Sequence, residues 1–206
     1  MRFPEPACQD PDDEMTDIFE VAIIGSGPAG LSAAARAAEY DQSAKKDRPD
    51  HKPTHILLES FRSHAKTIHS YQKGKLVMDE PGYLELRSPL AFTAATREEV
   101  LDTWRLSIAD LNINIRYGAE VTHIQKTGEH FTITLCDGTS IESRFVVLGI
   151  GMQGNPRKIG VKNDDCEIVQ YTLADPNAYQ GERIVVIGAG DAAAENALAL
   201  LKNNQV

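Results

Sequence analysis

A chain of 206 residues that is 42% hydrophobic and 25% charged falls in the range of soluble globular proteins. Its length suits one large domain, or one domain and part of another. A formal charge of −9 argues against nucleic-acid and anionic-membrane partners, which call for clustered Lys and Arg, and no apolar run approaches the ~20 residues of a membrane span.

The chain opens on MRFPEPACQDPDDEMTD, which is acidic, Pro-containing and without the apolar stretch of a signal peptide. Residues 1–17 are expected to form a disordered tail. Cys8, Cys136 and Cys166 are isolated and odd in number, which fits reduced cytoplasmic thiols better than a disulfide framework or a metal centre. The six His residues show no metal-ligand spacing, and Pro53 prevents His51 and His55 from sharing a helical face. No metal ligand is expected.

The first ordered element is IFEVAII, Ile18 to Ile24, with the pattern of a buried strand. It turns at Gly25-Ser26-Gly27-Pro28-Ala29-Gly30 and continues as helix-forming Leu31 to Tyr40. Strand, Gly-x-Gly-x-x-Gly turn and helix together make a dinucleotide fingerprint in its required context. Gly25 permits the tight turn, Gly27 lets a pyrophosphate approach the backbone, and Gly30 lets the helix pack against the strand. The helix N-terminus then presents unpaired N–H groups and the positive end of its dipole to the phosphates.

A polar stretch, Asp41 to Pro53, is expected to be a surface insertion ahead of the next strand, THILLES. Glu59 ends that strand, where an acid would hold the ribose hydroxyls; it lies further from the turn than the usual ~20 residues because of the insertion. Ser60 to Ala95 shows no βα alternation. Thr96-Arg97-Glu98-Glu99 is a capping box, and Val100, Leu101, Trp104, Ile108 and Leu111 recur at helical spacing, with Trp104 read as a core residue. INIRYGAEV is a short strand with a turn at Gly118. EVTHIQKT, HFTITLCDG and TSIESRFVVLGIG follow as an antiparallel meander whose last strand becomes wholly apolar from Phe145 to Leu148.

A second fingerprint closes the chain. Ile184 to Ile187 reads as its strand, Gly188, Gly190 and Ala193 as its three close-approach positions, and the alanine-rich segment as its helix. The residue that would choose NADH or NADPH belongs ~20 residues further on, past Val206.

The order GSGPAG, acidic strand end, β-meander, VVLGIGMQGNPRKIGV and VVIGAGDAAAE resembles the two-dinucleotide-fold flavoprotein reductases, closest to the thioredoxin-reductase-like group. The segment Tyr71 to Ser88 is similar to one found in bacillithiol-disulfide-reductase-like members. The resemblance implies an α/β fold: a Rossmann-like three-layer FAD/NAD(P)-binding architecture with the meander inserted, then an incomplete second Rossmann unit. Residues 18–150 would form an FAD-binding domain lacking its C-terminal segment. Residues 151–206 would form the crossover and the first βα unit of an NAD(P)H-binding domain. Gly151 falls in the glycine frame of the strand returning to the FAD domain, and Asp191 and Glu195 fall at the start of the helix facing the nicotinamide side. A Gly-Gly pair that follows the ribose acid in many relatives is replaced here by Ala65-Lys66, and Lys66 is read as a solvated surface residue.

The implied chemistry is hydride transfer from NAD(P)H to the flavin N5, with electrons passing on to a small-molecule or protein acceptor. No catalytic side chain is required. The Cys-x-x-Cys pair of the disulfide-reducing members is absent, so an internal thiol relay is not expected. The resemblance covers only the first half to two-thirds of a family member. The expectation is therefore an incomplete enzyme that binds FAD weakly or not at all, turns over poorly, and frays at its C-terminus or associates through it, with room for a homo-oligomer or a complementing chain. The other reading is a non-catalytic nucleotide-binding or assembly protein derived from such a reductase.

Overall fold

The computed structural model describes residues 18–79, 87–152, 157–160, 162, 166 and 168–206. The expected acidic tail, the middle of the Tyr71–Ser88 segment and Gln153 to Pro156 of VVLGIGMQGNPRKIGV lie outside the described residues.

A six-stranded sheet organises the first 150 residues. Strands β1 (Phe19–Ile24), β2 (His55–Glu59) and β5 (Ile115–Tyr117) run parallel, with β1 between β2 and β8 (Ser140–Leu148). The order is β5-β2-β1-β8-β7-β6, where β6 is Val121–Thr127 and β7 is His130–Leu135. β7 pairs antiparallel with both β6 and β8, so the meander read from the sequence is present. Its long last strand belongs to both parts: Ser143 faces Phe131 across the meander and Phe19 across β1, and Leu148 ends opposite Ile24.

Two apolar layers hold this arrangement. On one face of the sheet, Ile23 and Leu57 pack against helix α1 (Pro28–Asp47) and helix α3 (Arg97–Asp110) through Leu31, Ala34, Ala38, Val100 and Trp104. On the other, Ala22, Ile24, Ile56 and Leu58 meet Ala119, Ile133 and Leu135 of the curled-over meander side. Alternate residues of β1 and β2 therefore feed opposite cores, which is why both strands read as continuous apolar runs. The three layers are helices, parallel sheet and meander.

Between β2 and α3 lie a single helical turn, α2 (Lys66–His69), and the two-residue strands β3 (Leu76–Val77) and β4 (Ala95–Thr96). α3 starts as its capping box requires: the Thr96 hydroxyl accepts from the Glu99 N–H and the Glu99 carboxylate accepts from the Thr96 N–H. Trp104 is 2% exposed and donates its indole N–H to the Ala91 carbonyl at 3.1 Å, which bears out its reading as core.

Three expectations need correction. Asp41 to Asp47 is not part of a surface insertion but the last two turns of α1. Helix-tolerant residues run unbroken to Arg48, where Pro49 prevents continuation, and Lys45 and Lys46 suit the negative end of the helix dipole. Asp41 is buried, accepting from the Thr54 N–H (3.0 Å), the Thr54 hydroxyl (2.6 Å) and His55 Nδ1 (2.7 Å), so only residues 48–54 loop between helix and strand.

The second correction concerns Ile184 to Ile187, which forms no strand; among the described residues one bridge, between Arg183 and Gln205, is the only β pairing there. A strand is stable only against a neighbour, and among the described residues none is offered. Val185 and Ile187 are accordingly 84% and 70% exposed. The third is the frayed end: the last residues fold back, with Gln205 donating to Glu182 and accepting from Ile184, and Asn203 accepting from Gly181. The helix of this unit, α4 (Asp191–Leu200), forms as expected.

Candidate cofactor-binding site

The first fingerprint lies where β1, β2 and β8 end side by side. Gly25 turns with φ +94°, and its N–H donates to the Leu58 carbonyl at 2.7 Å. Gly149, just past β8, donates to the Ile24 carbonyl at 2.8 Å. These bonds leave no room for side chains. A Cβ on Gly30 would lie 1.8 Å from the Gly25 carbonyl oxygen, one on Gly25 2.7 Å from the Gly149 oxygen, and one on Gly149 3.1 Å from the Gly30 backbone. Gly25 and Gly30 thus do what the sequence implied, turning the chain and letting α1 seat on the strand.

Gly149 completes this contact and is the residue that sequence reading missed. The signal was its place in a Gly-Ile-Gly frame directly after an apolar strand. The candidate chosen there, Gly151, lies on the cleft wall with open space around it.

Gly27 behaves differently from Gly30. It caps α1 with an ordinary φ of −70°, and the nearest atom to an added Cβ is 4.0 Å away. The helix start therefore opens onto a cleft of about 960 Å³ walled by Gly25, Gly27, Pro28, Ala29, Glu59 and Gly151 among others, the size of a site for a large organic ligand. α1 has no side-chain cap, and Pro28 supplies its first position. The uncapped start of the helix lies beside the place where Gly27 leaves space, which suits an anion. Ser26 and Gly30 stand behind this wall.

Glu59 is 6% exposed at the end of β2. One carboxylate oxygen accepts from the Ser26 N–H at 2.8 Å and the Ser26 hydroxyl at 2.6 Å. The other accepts from the Phe61 N–H at 2.7 Å and the Ser60 hydroxyl at 3.3 Å. Burial works to raise its pKa, but the bonds from Ser26, Phe61 and Ser60 outweigh it and hold the carboxyl below its ordinary value. Glu59 is thus ionised at neutral pH. Tyr117, at the end of β5, has its pKa raised by burial and then by the Glu59 charge.

The far wall comes from the segment without βα alternation: Ala65, Lys66, Ile68, Tyr71 and Met78 line the cleft. Ala65 sits in the left-handed region (φ 51°, ψ 50°) and donates its N–H to the Ser26 carbonyl at 2.9 Å. It is a conformation that glycine adopts without strain. Lys66 is exposed, as read, but on the cleft wall.

The second fingerprint forms a separate and shallower concavity of about 390 Å³, lined by Gly188, Ala193 and apolar neighbours including Ile184, Val186 and Val206. Gly190 caps α4 and Asp191 stands in its first turn. Glu195, one turn on, is ion-paired with Lys75, which also lies 5.2 Å from the centre of the Tyr71 ring. Lys73 adds an ion pair with Asp175 at 3.7 Å and a backbone bond to Ala174 at 2.8 Å. The second set of site residues is therefore held beside the far wall of the cleft, not within it. Among the described residues no group of His, Cys, Asp and Glu could hold a metal ion, and no helix is long and apolar enough to cross a membrane.

A Rossmann-type sheet with glycine-seated helix, acidic strand end and layered meander defines an FAD/NAD(P)-binding reductase fold. Residues 22–206 match the pyridine nucleotide-disulphide oxidoreductase family, and the chain belongs to it. A ferredoxin–NADP reductase of Ignicoccus hospitalis is 28% identical over 184 residues, covering 89% of this chain and 53% of that protein. One from Acholeplasma laidlawii is 28% identical over 186 residues, covering 89% and 51%. The chain spans about half the length of the curated relatives it matches. The bacillithiol disulfide reductase of Staphylococcus aureus superposes with a TM-score of 0.73 at 23% identity, over 91% of this chain and 55% of that one. At that identity the likeness speaks for the fold.

Proposed function

We propose that this chain provides the FAD-binding part of an FAD-dependent NAD(P)H oxidoreductase. The observation that carries the reading is the contrast within one turn: Gly25, Gly30 and Gly149 are closed on one another, while Gly27 and the start of α1 stay open to the cleft beside an ionised Glu59. The residues fit the adenosine diphosphate part of FAD. Gly27, Pro28 and Ala29 would receive the pyrophosphate, Glu59 the ribose hydroxyls, and Gly151 the flavin end.

A bound flavin supplies hydride chemistry with a nicotinamide. The chain's own part is to bind, to orient and to exclude water. Tyr71, Ile68 and Met78 form an apolar wall, and Lys75 ties that wall to Glu195 of the second unit. Gly188, Gly190, Asp191, Ala193 and Glu195 are assigned to NAD(P)H, in a domain begun by residues 151–206, with residues 18–150 as the FAD domain. No side chain of this chain is assigned a covalent step, in keeping with the absence of a Cys-x-x-Cys pair.

The relatives named as ferredoxin–NADP reductases support a protein electron acceptor of that kind. The free thiols Cys136 and Cys166 support the cytoplasm as the compartment. A second reading, a nucleotide-binding or assembly protein without turnover, is favoured by one observation. Phe145 on β8 and Val185 and Ile187 ahead of α4 are 66–84% exposed and lie outside the cleft, apolar surface suited to a covering partner or second copy. Adding FAD, NADPH and an artificial electron acceptor to the purified chain separates the two. Dye reduction, alone or with a complementing segment, supports the reductase; saturable FAD binding without turnover under either condition supports the second reading.

A further inference from the structure

Glu59 has one oxygen fully used by Ser26 and one only loosely completed. The Ser26 hydroxyl and N–H both bind Oε2, at 2.6 and 2.8 Å, and Ser26 has no exposed surface at all. On Oε1 the Phe61 N–H is firm at 2.7 Å, but the Ser60 hydroxyl is at 3.3 Å and comes from an exposed residue. An O–H···O⁻ bond of 2.6 Å is charge-assisted and short, whereas one of 3.3 Å is weak. Ser26 is itself fixed, because its carbonyl accepts from Ala65 at 2.9 Å. At the corresponding place in the second fingerprint stands Ala189, which has no hydroxyl.

We propose that Ser26 is a positioning residue for nucleotide binding: by saturating Oε2 of Glu59 it presents Oε1 to the ribose hydroxyls, which displace the Ser60 hydroxyl. This rests on the reading of the cleft as an adenosine-diphosphate site. A bystander serine would affect the fold alone. A positioning serine acts only on ligands that bear ribose hydroxyls. Its loss also leaves Glu59 easier to protonate, since one of the bonds opposing burial is gone.

The test titrates the full chain with FAD, followed by flavin fluorescence, and competes it with ADP and with 2′,3′-dideoxy-ADP. Ser26→Ala is expected to weaken FAD and ADP roughly tenfold, the loss of one hydrogen bond to a charged group, and to leave dideoxy-ADP unchanged. The acid limb of FAD affinity should also move to higher pH. Ser26→Cys, which keeps the bulk and weakens the donor, gives the same comparison if the alanine variant does not fold. Equal weakening of ADP and dideoxy-ADP, or an unmoved pH limb, overturns the inference while leaving the cleft assignment standing. Absence of saturable FAD and ADP binding in the unsubstituted protein overturns both.

Discussion

Gly27 and Gly30 stand three residues apart and should respond oppositely to the same added methyl group. A Cβ at Gly30 would meet the Gly25 carbonyl at 1.8 Å, so α1 must shift off β1 or the turn must break. Gly30→Ala is expected to cost about 3 kcal/mol or more, seen as a large fall in the denaturant midpoint or loss of soluble protein. Gly27 has an ordinary φ and open space beyond it, so Gly27→Ala should fold, losing only about 1 kcal/mol because alanine is a poorer N-cap than glycine. It should nevertheless lose FAD binding at least tenfold, because the methyl occupies the pyrophosphate's approach. The turn at Gly25, the helix seat at Gly30 and the position of Glu59 at a strand end were legible in the sequence because each follows from strand–turn–helix spacing. Gly149 was not, because its contact joins residues 119 apart from Gly30, a pairing created only when β8 returns beside β1.

Elements add what single residues do not. α1 runs two turns further than its apolar pattern suggests because Asp41 finds partners across the layer in Thr54, His55 and His51. Burial works to raise its pKa, but hydrogen bonds from Thr54, His55 and His51 prevail and lower it. A carboxyl lowered on folding contributes stability that is present above its unfolded pKa of about 4 and is lost as the pH falls through the folded value. Thermal melts should therefore fall steeply below about pH 4 in the native chain, and more shallowly in Asp41→Asn, which at neutral pH should be about 2 kcal/mol less stable. An Asp41→Asn melt equal to the native one would remove this anchor from the account. The segment's polar composition hid the anchor, since sequence shows that Asp41 is charged but not that Thr54 and His55 turn back to meet it. By contrast the capping box of α3 was plain from four consecutive residues, and Thr96→Ala should cost about 1 kcal/mol by chemical denaturation.

At the scale of the whole molecule, the second fingerprint shows where local pattern stops being sufficient. Ile184 to Ile187 has strand composition, but strand formation depends on a neighbour, and α4 forms where β pairing does not. Among the described residues, this unit is tied to the first by two ion pairs and the backbone bond from Lys73 to Ala174. Lys75 meets Glu195 and Lys73 meets Asp175, both pairs offered by a loop that Arg97 braces through the Tyr71 carbonyl at 2.6 Å. Partly exposed pairs of this kind are worth about 0.5 kcal/mol each and are screened by salt. Lys75→Glu should speed proteolytic cleavage within residues 168–206 at low salt, and adding Glu195→Lys should restore protection. Cleavage rates unaffected by the first change would show that the units are held together by something other than this pair.

The start of α1, the open Gly27 and Glu59 are proposed as the adenosine-diphosphate site of a flavin cofactor. Calorimetric titration of FAD into the full chain and into Gly27→Ala, under identical conditions, tests it most directly. Saturable one-to-one binding to the native chain is expected, of whatever strength, with its loss in a Gly27→Ala variant that still unfolds cooperatively and only slightly earlier. No saturable heat with the native chain, or equal affinity in the two proteins, would contradict it.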